Sequence, residues 1–305
     1  MHKSVLLNEC LENLNLKEDS IIVDATLGYA GHSSCILKQI PNGYLYAFDQ
    51  DATARMEANK KLKAISNNYE IIPCNFVHLK NELEKRKISK VNGILFDLGV
   101  SSPQLDDGYR GFSFHQDAIL DMRMDQSQKL TAQAVVNEYS FEDLTRIFRE
   151  YGEEKFASSI ANKIIKYRES KKIETTLELV EIIKSSVPEK YKREKHPARK
   201  VFQAIRIEVN NELAVFEKAL TDSLDIIDVK GRICVITFHS LEDRICKKIF
   251  KSVSEVDKNL KDMPIIPEEY LPKFKMVKTI EPSEEELNEN NRSRSAKLRV
   301  IERVR

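Results

Sequence analysis

Asn92-Gly93-Ile94-Leu95-Phe96-Asp97-Leu98-Gly99-Val100-Ser101-Ser102-Pro103-Gln104-Leu105-Asp106-Asp107 decides how this chain folds. Its opening apolar run reads as a buried strand. Asp97 closes that strand, and a turn rich in Gly, Ser and Pro follows. In an open α/β sheet, an acid at a strand's carboxyl end presents polar groups to a ligand.

Working outward, four more segments read as buried strands: 20–24, 44–49, 69–72 and 232–238. Helical stretches at 33–39, 52–64 and 79–87 separate the early ones. Such alternation predicts a parallel, doubly wound sheet. Late segments 275–280 and 297–304 alternate apolar and polar residues, and are expected to pair as an antiparallel edge. From about Asp107 to about Arg206 the alternation stops. Helical periodicity takes over at 130–137, 141–148, 153–167 and 176–185. So long a helical interval is foreign to an ordinary crossover, so an inserted helical domain is expected at 107–206, within a core of 1–106 and 207–305.

The chain has 305 residues, 41% hydrophobic and 32% charged, enough for a full core and more than one domain. No apolar run approaches the length of a membrane span. The apolar residues Val5-Leu6-Leu7 are too short for a signal peptide, so a cytoplasmic location is expected. Cys10, Cys35, Cys74, Cys234 and Cys246 form no C-x-x-C pair, so no metal site is expected. A net charge of +1 leaves any nucleic-acid contact to local clusters.

The first strand ends in Asp24-Ala25-Thr26-Leu27-Gly28-Tyr29-Ala30-Gly31-His32-Ser33, and the second in Asp49. A glycine turn after strand one, with an acid closing strand two, is an adenosine-binding arrangement. The glycines Gly28 and Gly31 do not make G-x-G-x-x-G, which a pyrophosphate requires. S-adenosylmethionine carries no pyrophosphate, and Asp24 suits its ammonium and sulfonium charges. Phe76, after the third strand, either covers an adenine face or packs in the core. Lys190 to Lys200 and Arg292 to Arg299 are basic clusters that suit either phosphate or a solvated face. His239, closing the 232–238 strand, reads as a substrate contact or a structural residue, and Glu242 as an acid in a helix's first turn.

These segments together resemble the bacterial small-subunit (16S) ribosomal RNA cytosine-N4 methyltransferase family. The resemblance rests on residues 2–9, 24–33 and 97–107, Arg110-Gly111-Phe112-Ser113-Phe114, and Leu120 to Asp125. It continues through Tyr151-Gly152-Glu153-Glu154, His196-Pro197-Ala198, Phe202 to Arg206, Phe238 to Arg244 and Arg292 to Arg299. It implies a class I S-adenosylmethionine-dependent methyltransferase, Rossmann-like, with an inserted all-helical domain for substrate recognition. The implied target is the N4 amine of a decoding-centre cytidine of 16S rRNA, position 1402 in the usual rRNA numbering, so the partner is the small ribosomal subunit.

Cofactor contacts are then expected at Asp24, Gly28, Ala30, Gly31, His32, Asp49, Phe76, Asp97 and Gln104. Asp97, Ser101 and Pro103 are expected to hold the acceptor amine. Lys192, Arg193, Lys195, Arg199, Arg292 and Arg294 are expected to grip RNA. Two positions depart from the pattern: Tyr29 replaces a usual Gly, which puts the loop's conformation in question, and Asn291 stands where Pro is common. Three alternatives stay open: a different methyl acceptor, a non-catalytic assembly factor, and a nicotinamide dehydrogenase, against which the missing third glycine counts.

Overall fold

A computed structural model describes residues 4–100, 108–194, 196–257, 260 and 266–305. The chain divides into two compact units, 1–99 with 213–305, and 100–212.

The first unit is built on a seven-stranded sheet in the order β3-β2-β1-β4-β5-β7-β6. The strands are β1 (Ile21–Asp24), β2 (Tyr44–Phe48), β3 (Tyr69–Ile72), β4 (Val91–Asp97), β5 (Ile227–Thr237), β6 (Phe274–Ile280) and β7 (Lys297–Arg303). Strands β1 to β5 pair in parallel, while β7 runs antiparallel to both β5 and β6. This is the expected Rossmann-like doubly wound sheet with its antiparallel edge.

Alternation along the strands sends side chains to two separate cores. Val23, Ile94, Phe96 and Val235 join one core. It is covered by α4 (Leu79–Lys85), and by α11 (Glu212–Ile226) and α12 (Ser240–Ser254) through Phe216 and Phe250. Ile22, Leu45, Leu95 and Cys234 face the other. That one is covered by α1 (Leu7–Asn13), α2 (Gly31–Gln39) and α3 (Ala52–Lys63), through Cys10, Ile36 and Leu62. Full burial of each large apolar side chain is worth about 1.5–3 kcal/mol, which fixes the strand register.

The second unit is helical. It holds α5 (Ala132–Glu138), α6 (Phe141–Glu150), α7 (Ala157–Arg168), α8 (Thr176–Ser185), α9 (Glu189–Glu194) and α10 (Ala198–Asn210). Thr131, Ser140 and Thr175 cap the first turns of α5, α6 and α8, and Thr175 forms a capping box with Glu178. Apolar residues at helical spacing, such as Leu144, Ile147 and Phe148, fill its own core.

A boundary at 206 cuts α10, which runs on to Asn210 without a breaker. Helices α1 and α11 had no counterpart among the expected elements. Strand β5 also starts five residues earlier than its apolar run, through the polar stretch Asp228 to Gly231 and a register shift against β4.

The Tyr151-Gly152-Glu153-Glu154 motif is spent on this packing. Glu154 is 2% exposed, and accepts from the Phe156 N–H at 2.8 Å and the Tyr191 hydroxyl at 2.6 Å. A Cβ on Gly152 would lie 2.7 Å from the Phe148 carbonyl and 2.8 Å from that of Lys200. Gly152→Ala is therefore expected to destabilise the protein by roughly 1–3 kcal/mol, read as a lowered denaturant midpoint.

Candidate active site

The strand order reverses between β1 and β4, which is where a doubly wound sheet opens a ligand crevice. Register places the acids there. Asp24 pairs with Ala47 of β2 and Leu95 of β4, so Asp49 and Asp97 each stand two residues beyond those partners. Both carboxyls thus flank the end of β1 on the same sheet edge, at roughly 10 Å, two strand spacings.

The loop after β1 has a buried layer and an open one. Asp24 is 1% exposed and accepts from the Thr26 N–H at 3.0 Å and the Ser33 hydroxyl at 2.6 Å. The Thr26 hydroxyl in turn accepts from the Asp97 N–H at 2.7 Å, tying the ends of β1 and β4 together. Asp24 therefore braces the loop, and its carboxylate is not presented to a ligand's cationic groups as expected. Ala30 is buried, and the His32 ring is 5% exposed.

In the open layer, Gly28, Asp49, Phe76 and Asp97 are half-buried, and Gly31 is exposed at the start of α2. Asp49 accepts from the Gly28 N–H at 2.8 Å and the Asp51 N–H at 2.7 Å, so it holds the loop while keeping further lone pairs. Phe76 packs edge-on against Phe96 at 5.7 Å, leaning on the core as well as the edge.

The loop's left-handed backbone lies at Gly28, with φ 49°, and at Ala30, with φ 59°. Tyr29 is not among the residues with positive φ. The residue that strains this loop is therefore Ala30, since a Cβ disfavours that conformation.

Carboxyls dominate the electrostatics of the edge, with Arg55, which donates to the Asp49 carbonyl at 3.0 Å, as a cation beside them. Burial pushes the Asp97 carboxyl up to about 8, and the charges of Asp24 and Glu242 add to the effect. The side chain nonetheless keeps 26% of its surface exposed. Burial likewise pushes Asp49 up to about 7, against hydrogen bonds from Asp51 and Gly28 that pull it down. Asp97 Oδ1 is buried and has no hydrogen-bond partner among the described residues. An orphaned acceptor, beside carboxyls whose ionisation is suppressed, suits a ligand that brings both a cation and an N–H donor.

A model of the MraW methylase family matches residues 1–304. The chain belongs to this family. It is 54% identical over 307 residues to the ribosomal RNA small subunit methyltransferase H of Exiguobacterium sibiricum, covering 100% of this chain and 98% of that one. Among solved structures, an rRNA methylase from Streptococcus thermophilus aligns over 98% of this chain and 94% of that chain, with TM-score 0.43 and 12% identity. NSun6 from Pyrococcus horikoshii aligns over 99% of this chain and 53% of that one, with TM-score 0.45 and 10% identity. Scores this low carry no functional weight. Membership makes the protein a class I, S-adenosylmethionine-dependent methylase. The orphaned Asp97 oxygen and the acid-lined edge fit that cofactor.

Other expected residues of this MraW-family chain fall in different places. Ser101, Pro103, Gln104 and Lys195 lie outside the described residues. Arg193 and Arg199 in the helical unit are exposed, while Lys192 pairs with Glu189 at 2.5 Å. Arg294 is exposed and Arg292 half-buried. Much of that second cluster is committed internally. Arg299 pairs with Asp243 at 2.6 Å and Lys297 with Glu281 at 2.9 Å.

His239 takes the structural role. It caps α12, and its partner Glu242 accepts from the Phe238 N–H at 2.7 Å. Glu242 is a first-turn acid, as its place in the sequence suggests. Two working residues escaped the sequence reading, Thr26 and Ser33. Their hydroxyls two and nine residues after Asp24 were the only signal.

The raised carboxyls set a sign for stability. Between the unfolded value near 4 and the folded values, the native state binds more protons than the unfolded chain, so stability falls as pH rises through that window. Asp97→Asn removes one such group. It is expected to stabilise the unliganded protein by ~1–3 kcal/mol more at pH 8 than at pH 4, measured by denaturant unfolding at both.

Proposed function

We propose that this chain methylates the N4 amine of a cytidine in small-subunit 16S rRNA, at position 1402 in the usual rRNA numbering. The observation that carries this reading is Asp97 Oδ1, a buried acceptor with no partner among the described residues, at the reversal point of a methylase sheet. Support for an rRNA target comes from the name of the relative that shares 54% of its residues with this chain.

The cytosine amine is a poor nucleophile because its lone pair is delocalised into the ring. Bound S-adenosylmethionine supplies an electrophilic methyl carbon. The protein's part is to aim the amine. Asp97 accepts an N–H bond and holds the nitrogen, together with Ser101 and Pro103. Positioning of this kind supplies much of the acceleration when reacting atoms are held about 3–3.5 Å apart. The half-buried residues Gly28, Asp49, Phe76 and Asp97, with Gly31 and Gln104, contact the cofactor, and Asp24, Ala30 and His32 support the loop beneath. The base has to be unpaired or flipped to reach the sheet edge.

The helical unit recognises the RNA through Lys192, Arg193, Lys195 and Arg199, and the C-terminal stretch adds Arg292 and Arg294. A cytoplasmic location follows from a ribosomal partner.

Ribosomal RNA from cells lacking this protein should have lost one N4-methyl group on that cytidine when mapped by mass spectrometry. An intact methyl group there refutes the assignment. Asp97→Ala should lower methyl transfer by at least about 10²-fold, since a misaimed amine loses the gain from positioning. Lys192→Ala with Arg193→Ala should weaken RNA binding and lower the slope of log affinity against log salt by about 1–2, as measured by filter binding over a salt series.

A further inference from the structure

His32 is the second residue of α2, and both of its ring nitrogens face protein. Nε2 lies 3.1 Å from the Val5 carbonyl oxygen. A carbonyl only accepts, so Nε2 carries the hydrogen and donates it. Nδ1 lies 3.5 Å from Asp97 Oδ2. The contact resembles an ion pair, but burial holds the imidazole neutral, pushing it down to about 4. Nδ1 therefore bears a lone pair. Facing a carboxylate, that lone pair is repelled. Facing a carboxylic acid, it accepts the acid's proton.

The far side of the ring is clamped. Val5 C=O and Leu6 N–H belong to one peptide group. The N–H donates to Glu286 Oε1 at 2.8 Å, across 280 residues of sequence. Leu6 is fully buried, with a left-handed backbone at φ 51°, and Glu286 is 8% exposed. A run of contacts thus leads from Glu286 through the peptide and His32 to Asp97. Polarisation along such a chain makes the Val5 oxygen a better acceptor and Nδ1 more basic. The other titratable groups acting here are the Asp24 and Glu242 carboxyls and the Cys10 thiol, none of them a cation.

We propose that His32 is the positioning residue for Asp97, and that its Nδ1 shares the proton Asp97 takes from the methylated amine. This rests on the amine-methylating function proposed above. The acceptor nitrogen gains a methyl group as the carbon–sulfur bond breaks toward sulfur, leaving that nitrogen with one proton too many. The proton passes to an ionised Asp97 oxygen, and the resulting O–H donates to His32 Nδ1 before release to water. A cationic ligand beside Asp97 favours its ionised form, so loading the site readies the base and expels a proton.

His32→Gln tests this, because the amide keeps a donor for Val5 and loses the Nδ1 lone pair. Its kcat should fall by about tenfold or more. The acidic limb of its pH profile should move to lower pH by about one unit, because protonated Asp97 has lost its acceptor. An unmoved limb, or an unchanged kcat, overturns the proposal.

A second measurement needs no variant. In wild-type protein labelled with ¹⁵N-histidine, His32 should show protonated Nε2 and bare Nδ1 at neutral pH. The opposite tautomer, or an imidazolium, overturns the proposal. That spectrum does not depend on the methyl acceptor, so a wrong RNA target and a wrong role for His32 are told apart.

Discussion

Pairing of β1 with β2 on one side and β4 on the other is the constraint on which the site depends. It sets Asp24 beside Ala47 and Leu95, and so delivers Asp49 and Asp97 to the same sheet edge. Slipping one strand by one residue would exchange the two cores and turn the acids away. Burial of Ile22, Val23, Leu45, Leu95 and Phe96 makes such a slip expensive, so apolar packing fixes a polar site.

The edge itself is held by hydrogen bonds. Asp24 grips Thr26 and Ser33, Thr26 grips the backbone of Asp97, and Asp49 grips Gly28. Each carboxyl is kept from ready ionisation by burial, and stability is given up for it. A cation arriving there relieves the cost. The arrangement links binding to the protonation state of the group that then handles the amine.

In the helical unit, several segments that carry the family resemblance are tied into its packing. Arg123 binds both oxygens of Asp121 at 2.8 Å and also the carbonyls of Gln126 and Gln128. Asn210 of α10 closes the same knot through Met122 and Met124. The Asp121-Met122-Arg123-Met124-Asp125 run thus serves the unit's own folding. Phe114 and His196 also pack there, stacked at 4.6 Å.

Strand–helix alternation, the late antiparallel pair, the helical interval and the three strand-end acids were all legible along the chain. Each rests on local periodicity, or on a residue's place at the end of an apolar run, which short-range sterics and burial dictate. Tertiary structure alone decided what those acids do. Asp24 turned inward because the Ser33 hydroxyl came within reach once α2 had formed, beside the local bond from the Thr26 N–H. The left-handed strain fell on Ala30 rather than Tyr29 because the loop must turn between β1 and that helix. The contact of His32 with Asp97, and the hold of Glu286 on Leu6, join residues distant in sequence. No periodicity encodes such meetings, because they depend on which surfaces pack once the sheet has formed.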